Sequence, residues 1–198
     1  MASEVEIANL AAVRIGTASR ITSLDDDRTV ARALKAVWAA ERQAAIRDGS
    51  WNFAAVRDAL PALAAGAGVI WPYSMAYRLP GTCLRLIEVL GVARADYQLE
   101  ADKTIVCDAP APLYVRYSID VPEMAKWDAE AGAAFALRLA WRIGHKIAGS
   151  AFDAQACWAE YRAAIAGARS TDAMENPPIS TETEDDSWIL ARQGRWRG

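Results

Sequence analysis

Apolar positions change period along the chain. From residue 3 to 16 they fall at helical spacing, with Ile7, Leu10 and Ala11 on one face and Gly16 where a helix end takes a glycine. GTASRITSL reads as a connector. Ser23 and the acids Asp25, Asp26 and Asp27 then open a second helix that runs to about Asp48 and stops at Gly49. Negative charge there suits the positive end of a helix dipole, and the run lacks the spacing of a calcium loop. The second helix buries Val30, Leu34, Val37, Trp38 and Ala45. Helical spacing returns near Pro122 and continues to about Ala148, with Phe135, Ala136, Leu139, Ala140, Ile143 and Ile147 on the buried side. A fourth helix, about Ser150 to Thr171, buries Trp158, Tyr161, Ile165 and Ala168.

Between the helical parts the period shortens to two. YSMAYRLP, LRLIEVLGV, YQLEADKTIVCD and PLYVRYSIDV are short and rich in β-branched or aromatic residues. LEADKT supplies a hairpin turn. Leu113, Val115, Tyr117 and Ile119 alternate with Tyr114, Arg116 and Ser118, as one-sided burial of a strand requires. The predicted fold is therefore mainly α with a β insertion (α+β): a four-helix bundle carrying a small antiparallel sheet, plus an extended C-terminal arm. The expected division is a first helical half over 1–72, the β insertion over 73–120, a second helical half over 121–173 and the arm over 174–198.

Two charges interrupt the apolar stripes. Arg14 lies among Ile7, Leu10 and Ala11, and Glu41 lies in the middle of the second helix's apolar face. A charge in such a position is costly unless paired. The expectation is that Arg14 and Glu41 pair across the two helices or with a neighbouring subunit; the plainer alternative is that both reach solvent at the core's rim.

Composition changes the picture little. The chain has 198 residues, is 53% hydrophobic and 24% charged, and carries a net charge of −3, which is globular composition without a global basic field. The N-terminal MASEVEIANLAAVRIG lacks the basic lead of a signal peptide, and the uncharged run Ala59 to Tyr77 is broken by Pro61, Gly66, Gly68 and Pro72. Neither reads as a membrane segment. Cys83, Cys107 and Cys157 are too far apart for a zinc site and odd in number for a disulfide framework.

Catalytic patterns are missing from the sequence. The only histidine, His145, sits beside Arg142 and Lys146; there is no GxSxG, phosphate loop or HExxH. The expectation is a non-enzyme with no cofactor and no metal. Two features suit binding. Arg138, Arg142 and Lys146 stack at helical spacing and form a candidate docking strip for acidic groups. The C-terminal SWILARQGRWRG carries Trp188, Ile189, Arg192, Arg195 and Trp196 directly after the acids Glu182, Glu184, Asp185 and Asp186. Tryptophan and arginine dominate protein–protein anchors, and the same residues could stack on bases and neutralise phosphate. The preceding acids oppose nucleic acid and permit a protein groove.

The order RITSLDDDRTVAR, SWNFA, YRLPGTCLRLIEV, PLYVRYSIDV, AEYRAAIAGARSTDAMEN and DDSWILAR resembles the tail tubular protein A type of head-to-tail adaptor from short-tailed bacteriophages and related prophages. The resemblance spans about residues 5 to 192. It implies a structural virion protein made in the bacterial host cytoplasm. Its partners would be copies of itself in a twelvefold ring, a portal protein, and a tail nozzle or tail tubular protein. DNA would pass through the lumen without being read. It also implies that Trp188 and Ile189 anchor an arm on an adjacent subunit or the ring above and that Arg192 pairs with a carboxylate. The reading from another class is a small DNA-binding or regulatory domain that uses the basic stripe and the tail.

Overall fold

The computed structural model describes residues 3–18, 20–49, 51–64 and 71–175. The first helix, α1 (Glu4–Ile15), is set at both ends by local chemistry. Ser3 Oγ accepts the Glu6 N–H at 3.2 Å, and the Glu6 carboxylate accepts the Ser3 N–H at 2.7 Å, a reciprocal capping box. Gly16, at φ 84°, closes it in a left-handed conformation that costs a Cβ-bearing residue more.

The second helix, α2 (Thr29–Asp48), starts later than Ser23. The Asp26 carboxylate accepts the N–H groups of Thr22 at 2.8 Å and Ser23 at 3.2 Å, so the acidic run folds a loop of its own instead of the first helical turn. The third, α3 (Ala129–Ala148), likewise starts after Pro122. Trp127 is buried and its indole N–H donates to the Val121 carbonyl at 3.0 Å, holding Val121–Trp127 in a compact turn around a 3₁₀ segment. The fourth, α4 (Ala154–Glu175), follows a short 3₁₀ turn at Gly149–Ala151, and Asp153 accepts the Ala156 N–H at 2.9 Å.

Among the described residues six strands form two antiparallel sheets where the sequence suggested one. They are β1 (Ala55–Leu60), β2 (Met75–Arg78), β3 (Cys83–Val89), β4 (Tyr97–Leu99), β5 (Thr104–Cys107) and β6 (Leu113–Ile119). One sheet has the order β1-β6-β3 and the other β2-β5-β4. The hairpin predicted at LEADKT joins β4 to β5. Strand β1 lies before residue 73, inside the stretch expected to be helix and loop. AVRDAL lacks alternation because Arg57, Asp58 and Ala59 all face solvent on an edge strand; pairing from Ala55↔Ser118 to Leu60↔Leu113 holds it. In β6 Leu113, Val115 and Tyr117 are buried and Tyr114 is exposed as expected, but Ser118, expected on the open face, is buried with its hydroxyl donating to Arg85 O at 3.4 Å.

The described residues are thus α+β. Helix α3 touches each of the other three helices, and its Phe135 and Leu139 are fully buried between them. Replacing a buried residue like Phe135 by alanine costs about 3–5 kcal/mol. A second core lies within the two sheets, around Tyr77, Ile105, Cys107 and Val115. Ile119 packs against both cores, and Arg42 of α2 grips Asp120 at the end of β6 with two bonds of 2.8 and 2.7 Å. Among the described residues no helix is long and apolar enough to cross a membrane.

Candidate functional site

The two charges expected to pair with one another each have a different partner. Arg14 reaches α4, where Nε and Nη2 donate to Glu160 at 2.7 and 3.0 Å. Glu41 instead faces α3: one carboxylate oxygen accepts Arg138 Nε at 2.7 Å and the other lies 3.1 Å from Arg142 Nε. The reason is the arrangement of the helices. Helix α3 lies against both α1 and α2, and the polar side of α3 is the one turned to Glu41.

Arg138 organises the larger network. It also donates to Asp48 Oδ2 at 2.6 Å and to the Tyr161 hydroxyl at 3.2 Å, and Tyr161 in turn donates to Asp48 Oδ2 at 2.7 Å. Its guanidinium lies over the rings of Tyr161 and Trp158 at 5.4 and 5.9 Å from their centroids. Burial, reinforced by the bond to Asp48, pushes the Tyr161 phenol well above its ordinary value. With 13% of its side chain exposed, Arg138 is an internal tie and not part of a solvent-facing strip. Arg142 is half-exposed with one face spent on Glu41, and Lys146 is exposed. The structure therefore does not bring Arg138, Arg142 and Lys146 together as one docking surface.

His145 is exposed, with Nδ1 3.1 Å from the Gly149 carbonyl and its ring edge-on to Phe152. The three cysteines are free and buried, and loss of solvent pushes each thiol above its ordinary value, which suppresses the thiolate. Among the described residues no group of His, Cys, Asp and Glu is placed to hold a metal. Trp188, Ile189, Arg192, Arg195 and Trp196 lie outside the described residues, as does most of the arm expected over 174–198.

Two surfaces that the sequence did not single out emerge instead. On α1, Leu10 and Val13 are 53% and 73% exposed. They line a groove of about 990 Å³ with Ala129, Gly132 and Ala133 of α3 and with Trp127. Leu10 belonged to the predicted buried stripe. It fails to be covered because the α1–α3 contact is made by small residues, including the buried Ala8 and Ala12 of α1, and leaves the outer edge of the stripe open.

The second surface is a pocket of about 440 Å³ where α4 meets the end of α2 and β3. Arg47, Arg85, Arg162 and Arg169 line it. Sequence spacing hides this set, because the four arginines come from three separate elements. No family model and no curated protein matches this chain.

Proposed function

We propose that this chain is a head-to-tail adaptor of a short-tailed phage or related prophage, a structural protein that assembles as a ring between a portal and a tail nozzle. In this reading α1–α4 act as a four-helix bundle, the two sheets as its insertion, and residues 174–198 as an arm whose Trp188 and Ile189 engage a neighbouring ring component. The observation that carries the reading is the open apolar groove on α1. Leu10 and Val13 are large exposed apolar side chains beside Ala129, Gly132 and Ala133, in a groove whose lining also includes Glu6, Asn9 and Arg20, a mixture suited to a protein surface. A closed ring needs two different, complementary faces on each copy, and this groove is suited to be one of them.

The ordered order of motifs that resembles the adaptor family supports the same reading, as does the sequence of helices, sheets and helices that such proteins have. The basic stripe lends the DNA-binding alternative less support, because Arg138 is bound inward by Glu41 and Asp48 and Arg142 spends one face on Glu41. Changing Val13→Asp together with Leu10→Asp tests the assignment. Both residues are exposed, so the monomer should fold with unchanged stability. Ring formation on a portal template, followed by electron microscopy, should be abolished. Intact rings from this variant would remove the groove from the interface.

A further inference from the structure

We infer that the pocket lined by Arg47, Arg85, Arg162 and Arg169 is a receptor for clustered carboxylates, and that its ligand is the acidic run Glu182, Glu184, Asp185 and Asp186 of the same chain. Three of the arginines are held in place by backbone carbonyls. Arg47 donates to Leu84 O at 2.8 Å, Arg85 donates to Arg47 O at 2.8 Å, and Arg169 donates to Asp48 O. Two of these bonds satisfy the Arg47 and Asp48 carbonyls at the end of α2 and the third ties that end to Leu84 of β3, which is reason enough for arginines to gather there. They do not account for the whole arrangement. A guanidinium has five N–H donors, and a neutral carbonyl uses one while leaving the charge uncompensated. Arg162 has no bonded partner among the described residues and lines the pocket all the same.

Among the described residues no carboxylate forms an ion pair with the set. Asp48 is the acidic residue lining the pocket, and its side chain is already bonded to Arg138 and Tyr161. Among the described residues, every ion pair of an arginine involves Arg14, Arg32, Arg42, Arg116, Arg138 or Arg142, and none involves these four. Four forked donors around one cavity, three of them held by backbone carbonyls, favour an anion with several carboxylates in a chain of net charge −3.

Chain length selects the occupant. Arg169 is six residues before Glu175, the last residue of α4, about 9 Å along the helix axis. Glu182 follows seven residues later, a stretch that spans up to about 23 Å when extended. The acids can therefore return to the pocket of their own chain. The four carboxylates match the four guanidiniums in number, and the tethered segment competes at high effective concentration with any free anion. This closure does not depend on the adaptor reading, since it requires no second protein.

Carbodiimide coupling of full-length Arg162→Lys protein provides the test. Position 162 is exposed and has no bonded partner among the described residues, so the substitution leaves the fold unchanged and offers an amine to adjacent carboxylates. Peptide mass mapping should find an amide link from position 162 to the peptide containing Glu182–Asp186. The link should form within single chains, persist on tenfold dilution, and fall several-fold in about 1 M salt, where charge acts over only about 3 Å. Absence of the link, or its appearance only between chains, overturns the inference. A second arm neutralises the segment with Glu182→Gln, Glu184→Gln, Asp185→Asn and Asp186→Asn. Freed arginines should then hold inorganic phosphate several-fold more tightly than in the wild type, with the gain removed by Arg162→Glu. Unchanged phosphate affinity after neutralisation, or duplex DNA retained equally with and without the acids through Arg162, would assign the pocket to another anion and overturn the proposal.

Discussion

Glu41 of α2 is bonded to Arg138 of α3 at 2.7 Å, with only 10% and 13% of the two side chains exposed. Breaking one side of a pair this deep leaves a charge in a poorly solvated place, which costs about 3–5 kcal/mol. Arg142 still faces Glu41 at 3.1 Å, so Arg138→Met should fall near the lower end, about 3 kcal/mol by denaturant unfolding. Adding Glu41→Leu should recover part of that loss. By contrast, Arg14→Met should cost no more than about 1 kcal/mol, because its partner Glu160 is half-exposed. The effects of Arg14→Met and Glu41→Leu should add, since the two residues share no partner. A coupling of more than about 1 kcal/mol between them would contradict the network described here.

Trp38 and Trp127 flank Phe135 from two sides, with ring centroids 5.1 and 5.3 Å away, and differ in one respect. The Trp127 N–H donates to Val121 O, whereas the buried Trp38 N–H has no partner among the described residues. Replacing tryptophan by phenylalanine removes a satisfied donor in one case and an orphaned donor in the other. Trp127→Phe should therefore be the more destabilising, by about 1 kcal/mol. Equal losses in matched denaturant curves would mean that packing alone decides at both positions.

The two arginine bonds hold the Asp120 carboxyl below its ordinary value of 3.8, with Gln43 adding a third at 3.1 Å. A lowered folded value means that the stabilisation is complete above about pH 3.8 and is lost as pH falls through the lowered value. At pH 6, Asp120→Asn should cost about 1–2 kcal/mol, allowing for partial exposure of the carboxylate. The gap between wild type and variant should close as the pH is taken below 3.8. A gap that stays constant to pH 2 would show that charge has no part in the contact.

Gly144 of α3 faces Phe152 so closely that a Cβ there would lie 2.3 Å from the ring. Phe152 is buried, so the ring has little room to withdraw. Gly144→Ala should destabilise by about 1–3 kcal/mol, although alanine is the better helix former. A thermal unfolding scan that showed a gain would mean that α3 and the turn before α4 separate readily.

Much of the fold is legible in the sequence because burial imposes a period. The stripe through Phe135, Leu139 and Ile143, and the alternation through Leu113, Val115 and Tyr117, locate α3 and β6 correctly. Strand β1 is not legible, since an edge strand held by backbone pairing leaves no apolar alternation. Helix starts at α2 and α3 were displaced by side chains acting on nearby backbone, Asp26 on Thr22 and Trp127 on Val121, which propensity alone does not reveal. The partner of Arg14 depends on which helices touch, and that is a tertiary fact. The arginine pocket is invisible for the same reason, because only folding brings Arg85 of β3 to Arg47 and Arg169. The groove on α1 was concealed by the assumption that every apolar residue of a stripe is covered.

Co-sedimentation of the full-length chain with a portal ring encoded beside it, at low and high salt and with duplex DNA as competitor, separates the proposed adaptor function from DNA binding. If the proposed adaptor function holds, the chain travels with the portal at both salts and ignores the DNA, because an apolar contact survives screening while phosphate binding does not. A chain that stays clear of the portal and follows DNA at low salt alone would contradict it.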